Sequence, residues 1–165
     1  MIMRTGTERA LGRQIWCSLI LLVTAALDCQ AFEVSGNPVV GTDGSLRVRG
    51  HTLRLWGVEW LNTATPCVGD ERPPACGMRA VRALEQVSDG FVRCRTEVRQ
   101  RDASYQARCF TDYRGPGPAL DLAAYLLSRG WVLAASDAPP AYRAMERGAR
   151  EHRLGIWGHR LPSPP

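Results

Sequence analysis

The chain contains no lysine, so all 21 of its basic residues are arginine and guanidinium is its only strong side-chain cation. It has no C-x-x-C pair and no Cys/His cluster at zinc-site spacing, which argues against a cysteine-bound structural metal. Histidine is scarce: His51 falls in an expected hairpin turn, His152 on an expected helix and His159 in the tail. None has a serine or cysteine partner at a useful spacing, so a His-activated nucleophile is unsupported. There is no internal repeat and no low-complexity block, which excludes solenoid architectures. Only one apolar run is of any length. Ile15 to Leu27, broken by Cys17, Ser18 and Thr24, falls short of the roughly 20 residues a membrane span needs.

That run follows Arg4, Arg9 and Arg13 and ends near the small-residue stretch "DCQA". A positive start, a short apolar core and small residues form the pattern of a secretory signal. Residues 1–31 are therefore expected to be an export segment cut after Ala31, with an uncleaved membrane anchor as the alternative. Residues 32–158 make one domain able to bury a core, and 159–165 a frayed tail. The formal net charge of +5 permits a polyanion partner without demanding one. Four cysteines lie beyond the export segment: Cys67, Cys76, Cys94 and Cys109. An even number after an export signal points to disulfides. Three pairings are open. The favoured one is Cys67–Cys76, closing a proline-rich loop, with Cys94–Cys109 tying neighbouring strands.

Periodicity orders the rest. "NPVVGTDGSLRVRGHTLRLWGV" reads as three short extended pieces, with Leu46 and Val48, then Leu53 and Leu55, on one face and glycines at the turns. "LNTATPCVGDERPPACG" is a long loop. "GMRAVRALEQV" is helical, "FVRCRTEVR" and "YQARCFTDY" form a strand pair, and "PGPALDLAAYLLSRG" opens a second helix after Pro118. "WVLAA" is a short extended piece, and "PPAYRAMERGAREHRLGIWG" is a last helix. Three strands, a helix, two strands and two helices suit a five-stranded OB-fold β-barrel with three helices, a mainly β, α+β class.

"GSLRVRGHTLRLWGVE", "CGMRAVRALEQV", "ARCF", "DLAAYLLSRGWVLA" and "AYRAMERGAREHRLGIWG" together resemble the thermonuclease, or staphylococcal-nuclease-like, family over most of Val39 to Gly158. The closing pattern of Tyr142, Glu146, Ala149-Arg150 and "GIW" carries much of the likeness, and the four cysteines match those of exported bacterial members. The resemblance implies an OB-fold barrel exported to the periplasm or beyond. Working members hydrolyse phosphodiester bonds with calcium. Carboxylates hold the metal, a glutamate activates water, and two arginines clamp the phosphate.

Position by position, that machinery is incomplete. The first metal carboxylate falls on Gly44, within Thr42-Asp43-Gly44-Ser45. Asp43 is its neighbour, and alternation along an extended chain turns it away, the alternative being a local bulge that Gly41 and Gly44 would allow. The first arginine is kept as Arg54. Glu59 replaces the second metal carboxylate, and Asn62 replaces the general base with an amide that cannot accept a proton near neutral pH. The second arginine falls on Ser104. Arg108, four residues on, is on the same face but roughly 13 Å along the strand. Arg54 is alternatively a strand arginine paired with Glu59 or a carbonyl. Trp56 and Trp60 offer a possible stacking surface for a base. No cofactor is expected, and calcium only if hydrolysis survives through Asp43, Glu59 and Arg54. The expected function is that of a pseudo-nuclease acting as a binding module for nucleic acid or another polyanion. The alternatives are a weak or altered calcium-dependent nuclease and a structural envelope protein held by an uncleaved N-terminus.

Overall fold

A computed structural model of the chain describes residues 31–62, 64–67, 75–111 and 119–158. The expected export segment lies outside the described residues apart from Ala31, and so does the tail 159–165. In chain order the elements are β1 (Glu33–Gly36), β2 (Val39–Val40), β3 (Leu46–Val48), β4 (His51–Leu55), β5 (Val58–Glu59), α1 (Cys76–Val87), β6 (Val92–Arg99), β7 (Tyr105–Thr111), α2 (Leu122–Ser128), β8 (Leu133–Ala134) and α3 (Pro140–Glu151). A short 3-10 turn, Gly155–Gly158, closes the described chain.

Six strands form one curled sheet in the order β1-β6-β7-β4-β3-β2, antiparallel except where β4 meets β7. With the three helices this makes an OB-like half-barrel of mixed α+β class. Alternation explains which way each strand faces. Leu46, Val48, Leu53, Leu55, Val92 and Ala107 point inward and are buried, while Arg47, Arg93 and Arg95 stand exposed between them. Helix α2 plugs the concave side with Leu122, Leu126 and Leu127, all fully buried. Each such leucine contributes about 1.5–3 kcal/mol through the water it sheds.

The strand count differs from the expected five for two reasons. The strand read through "HTLRLWGV" breaks at Gly57, whose φ of +76° turns the chain out of the sheet. The residues beyond it re-pair as β5 with β8 in a separate two-stranded ribbon. Strand β1 was not expected at all. "EVSG" is short and poor in β-formers, and it is extended because β6 offers it an edge, with Val34 opposite Cys94.

Helix α1 buries Ala80, Val81 and Leu84 and has no side-chain cap at its start. The Cys67–Cys76 disulfide ties that end to the preceding loop instead. The second disulfide, Cys94–Cys109, joins residues directly opposite in the β6–β7 ladder. Both expected pairings are therefore present, and all four cysteines are buried. Helix α2 begins later than expected. Asp121 is its cap, accepting a hydrogen bond from the Ala124 amide at 3.1 Å. The helix was expected to open directly after Pro118, but Ala119 and Leu120 are not helical. Pro140 starts α3, as expected, but the helix ends at Glu151 rather than running on to the closing glycine.

His51, expected in a solvated turn, is instead the first residue of β4. Its half-buried ring lies 5.1 Å from that of Phe32 and 6.1 Å from that of Tyr105. Phe32 reaches it because its amide donates to Thr96 Oγ1 and its carbonyl accepts from the Thr96 amide.

Candidate functional site

Arg54 stands mid-strand on the outward face of β4, opposite Gln106 of β7. Two hairpin loops flank it: 41–45 between β2 and β3, and 100–104 between β6 and β7. Their hydrogen bonding is the same. In the first, the Gly41 amide donates to the Ser45 carbonyl at 2.7 Å and the Gly44 amide to the Gly41 carbonyl at 3.0 Å. In the second, the Gln100 amide donates to the Ser104 carbonyl at 2.8 Å and the Ala103 amide to the Gln100 carbonyl at 3.2 Å. Each loop closes on a residue in the left-handed region, Gly44 at φ +76° and Ala103 at φ +63°. This is the three-residue hairpin connection whose last residue forms a bulge.

The side chains repeat as well. Asp43 Oδ1 accepts from the Ser45 amide at 3.1 Å and the Ser45 hydroxyl at 2.6 Å. Asp102 Oδ1 accepts from the Ser104 amide and hydroxyl at the same two distances. Each aspartate thus has one oxygen spent inside its loop and the other turned to the arginine. Arg54 Nη2 lies 3.1 Å from Asp43 Oδ2 and 3.8 Å from Asp102 Oδ2. The hydroxyls of Ser45 and Ser104 first, together with their amides and the Arg54 charge, hold both carboxyls below the ordinary value of 3.8, against the opposing effect of lost hydration. The result is a guanidinium held between two ionised carboxylates.

This corrects the expected orientation of Asp43. Strict alternation would turn it away from Arg54, but the left-handed Gly44 breaks the alternation and brings the carboxylate back across the hairpin. Gly44 is buried under Trp60, and a Cβ placed there would overlap the indole ring. Asp102 was missed as a site residue. The signal that would have found it is the repeated Asp-x-Ser at the two hairpin turns.

The other expected positions are not drawn into this cluster. Glu59 is exposed on the β5–β8 ribbon and has no ion pair among the described residues. Asn62, which the resemblance set at the general-base position, is exposed, and its side-chain oxygen accepts the Ala64 amide at 2.9 Å, so its amide organises its own turn. Ser104 is buried and anchors Asp102. Arg108 is engaged elsewhere. Its guanidinium carbon lies 4.1 Å over the Trp56 ring, and its Nε is 3.0 Å from Glu97 Oε1, off line for a hydrogen bond. Trp56 therefore already carries a cation on its face. It also lies 6.2 Å from the ring of Tyr142, whose hydroxyl donates to Asp121 Oδ2 at 2.6 Å. Burial, then that hydrogen bond, pushes the Tyr142 phenol far above its usual range, so it stays protonated. Trp60 packs on Gly44, with its ring nitrogen buried and without a partner among the described residues.

The donor set does not fit calcium. Among the described residues no three His, Cys, Asp or Glu side chains are placed to hold a metal, and the free oxygens of Asp43 and Asp102 face a guanidinium. Among the same residues no helix is long and apolar enough to cross a membrane. The two disulfides fit an oxidising compartment. No model of a known protein family matches the chain, and no curated protein matches it.

Proposed function

We propose that this chain is an exported, thermonuclease-like domain that has lost phosphodiester hydrolysis and serves as a binding module. Its sequence resemblance, the OB-like half-barrel and the two disulfides support the family and the periplasmic or secreted location. The observation that carries the loss of chemistry is at Arg54. The one retained phosphate-binding arginine is occupied by Asp43 and Asp102, while Asn62, in place of the base, has its amide bound to its own loop. Among the described residues, the carboxylates beside Arg54 are Asp43 and Asp102, and each is already paired with its guanidinium. Further exposed cations, Arg47, Arg95 and Arg101 among them, have no ion pair among the described residues. They favour a polyanion, nucleic acid included, held by charge and released by salt.

The test uses purified protein with its disulfides intact and a labelled single-stranded DNA. With calcium added, the strand stays whole over hours. In chelator, fluorescence anisotropy reads weak binding that falls steeply between about 50 and 200 mM salt. The rival reading, a calcium-dependent nuclease, draws on the placement of Asp43 beside Arg54. Calcium-dependent cleavage abolished by Arg54→Ala would establish it and overturn the proposal.

A further inference from the structure

We propose that the 41–45 and 100–104 loops form a matched pair of carboxylate latches that close Arg54 to external anions, making Asp102 and Asp43 the residues that set what this face accepts. The inference rests on the reading of the domain as a binding module and names how that same site is regulated.

Ordinary exposed ion pairs contribute little, because two long side chains must be ordered to make them. Here the ordering is already done. Each aspartate is short and is fastened to its loop by a serine amide and a serine hydroxyl. Each loop is closed by two backbone hydrogen bonds of its own. The carboxylates therefore stand where they are whether or not Arg54 is present. They act on it from separate hairpins, so losing one leaves the other. An incoming phosphate meets a guanidinium whose charge is already matched and two fixed negative groups beside it. A ligand without negative charge meets no such barrier. The face thus rejects phosphodiesters at Arg54 while admitting neutral or cationic groups.

The experiment replaces both carboxylates by the isosteric amide, Asp43→Asn with Asp102→Asn, which keeps an oxygen for each serine to donate to. Binding of a short single-stranded DNA is measured in chelator, so that any cleavage cannot contribute. The double variant is expected to bind about tenfold more tightly than the parent at low salt, with the gain shrinking towards 0.15 M salt as screening sets in. Adding Arg54→Ala to it should abolish the gain. A control with the same charge change at the C-terminal end of α1, Glu85→Gln with Asp89→Asn, neither of which pairs with Arg54, should stay near the parent. The single variants, each with a part of the gain, carry the test if the double variant does not fold. No gain in the singles or the double, a gain that survives Arg54→Ala, or an equal gain in the control would overturn the latch. Cleavage by the parent in the separate calcium arm would instead overturn the loss of hydrolysis and leave the latch to the binding data.

Discussion

The two loops that flank Arg54 have the same backbone hydrogen bonds, the same Asp-x-Ser side-chain geometry and the same left-handed closing residue, yet they stand in different surroundings. Gly44 lies buried beneath Trp60, whereas Ala103 is exposed at the tip of the β6–β7 hairpin. In the first loop a side chain is excluded twice, by backbone angle and by space. In the second only the angle objects, and the chain tolerates alanine there. The conformation is thus a property of the short hairpin itself, while its tolerance to change is set by what covers it.

The sharpest way to break the likeness is Gly44→Ala. The methyl group overlaps the indole and the left-handed backbone is strained, so unfolding in denaturant should show a loss of about 2–4 kcal/mol. Removing the serine hydroxyls comes next. Ser104 is buried and Ser45 only half-buried, so Ser104→Ala should cost about 1 kcal/mol and Ser45→Ala less. A result in the opposite order would show that the first loop is the stiffer latch. Ala103→Gly runs the other way. It relieves the left-handed strain and should stabilise by about 0.5–1 kcal/mol, with the melting temperature rising accordingly.

The smallest effect is expected from pH. Both carboxyls titrate below 3.8 in the folded chain, so their contribution is present above that value. It is lost as pH falls through the lower, folded-state value, because the unfolded chain takes up protons first. Solvent screens both groups. A denaturation midpoint falling below about pH 4 in the parent, and falling less in the doubly amidated variant, would assign that part of the slope to the latches.

Much of the framework was legible before any coordinates. The inward alternation of Leu46, Val48, Leu53 and Leu55, the helical spacing through Val81 and Leu84, and the two disulfide partners all follow from local pattern and spacing. Strand β1 was hidden because "EVSG" has little preference of its own and is extended only by pairing with β6. The break at Gly57 was hidden for the opposite reason, since the apolar alternation runs straight through a residue that in fact turns the chain. At the site, the sequence marked the amide at Asn62 and the bare backbone at Gly44 only through its resemblance to a known family. It placed Asp43 on the wrong side, because alternation assumes an unbroken strand. It did not place Asp102 at Arg54, because the two lie far apart in the chain.

By itself, then, the order of residues determined which strand faces shed water, where the helices run and which groups are able to carry charge or take a proton. Those are short-range matters of side-chain chemistry and backbone period. That Asp102 meets Arg54 was decided only when β4 and β7 came together side by side. That pairing sets the 100–104 turn beside the 41–45 turn, which the β3–β4 hairpin already holds near the guanidinium, and no local rule encodes a contact across so long a stretch of chain.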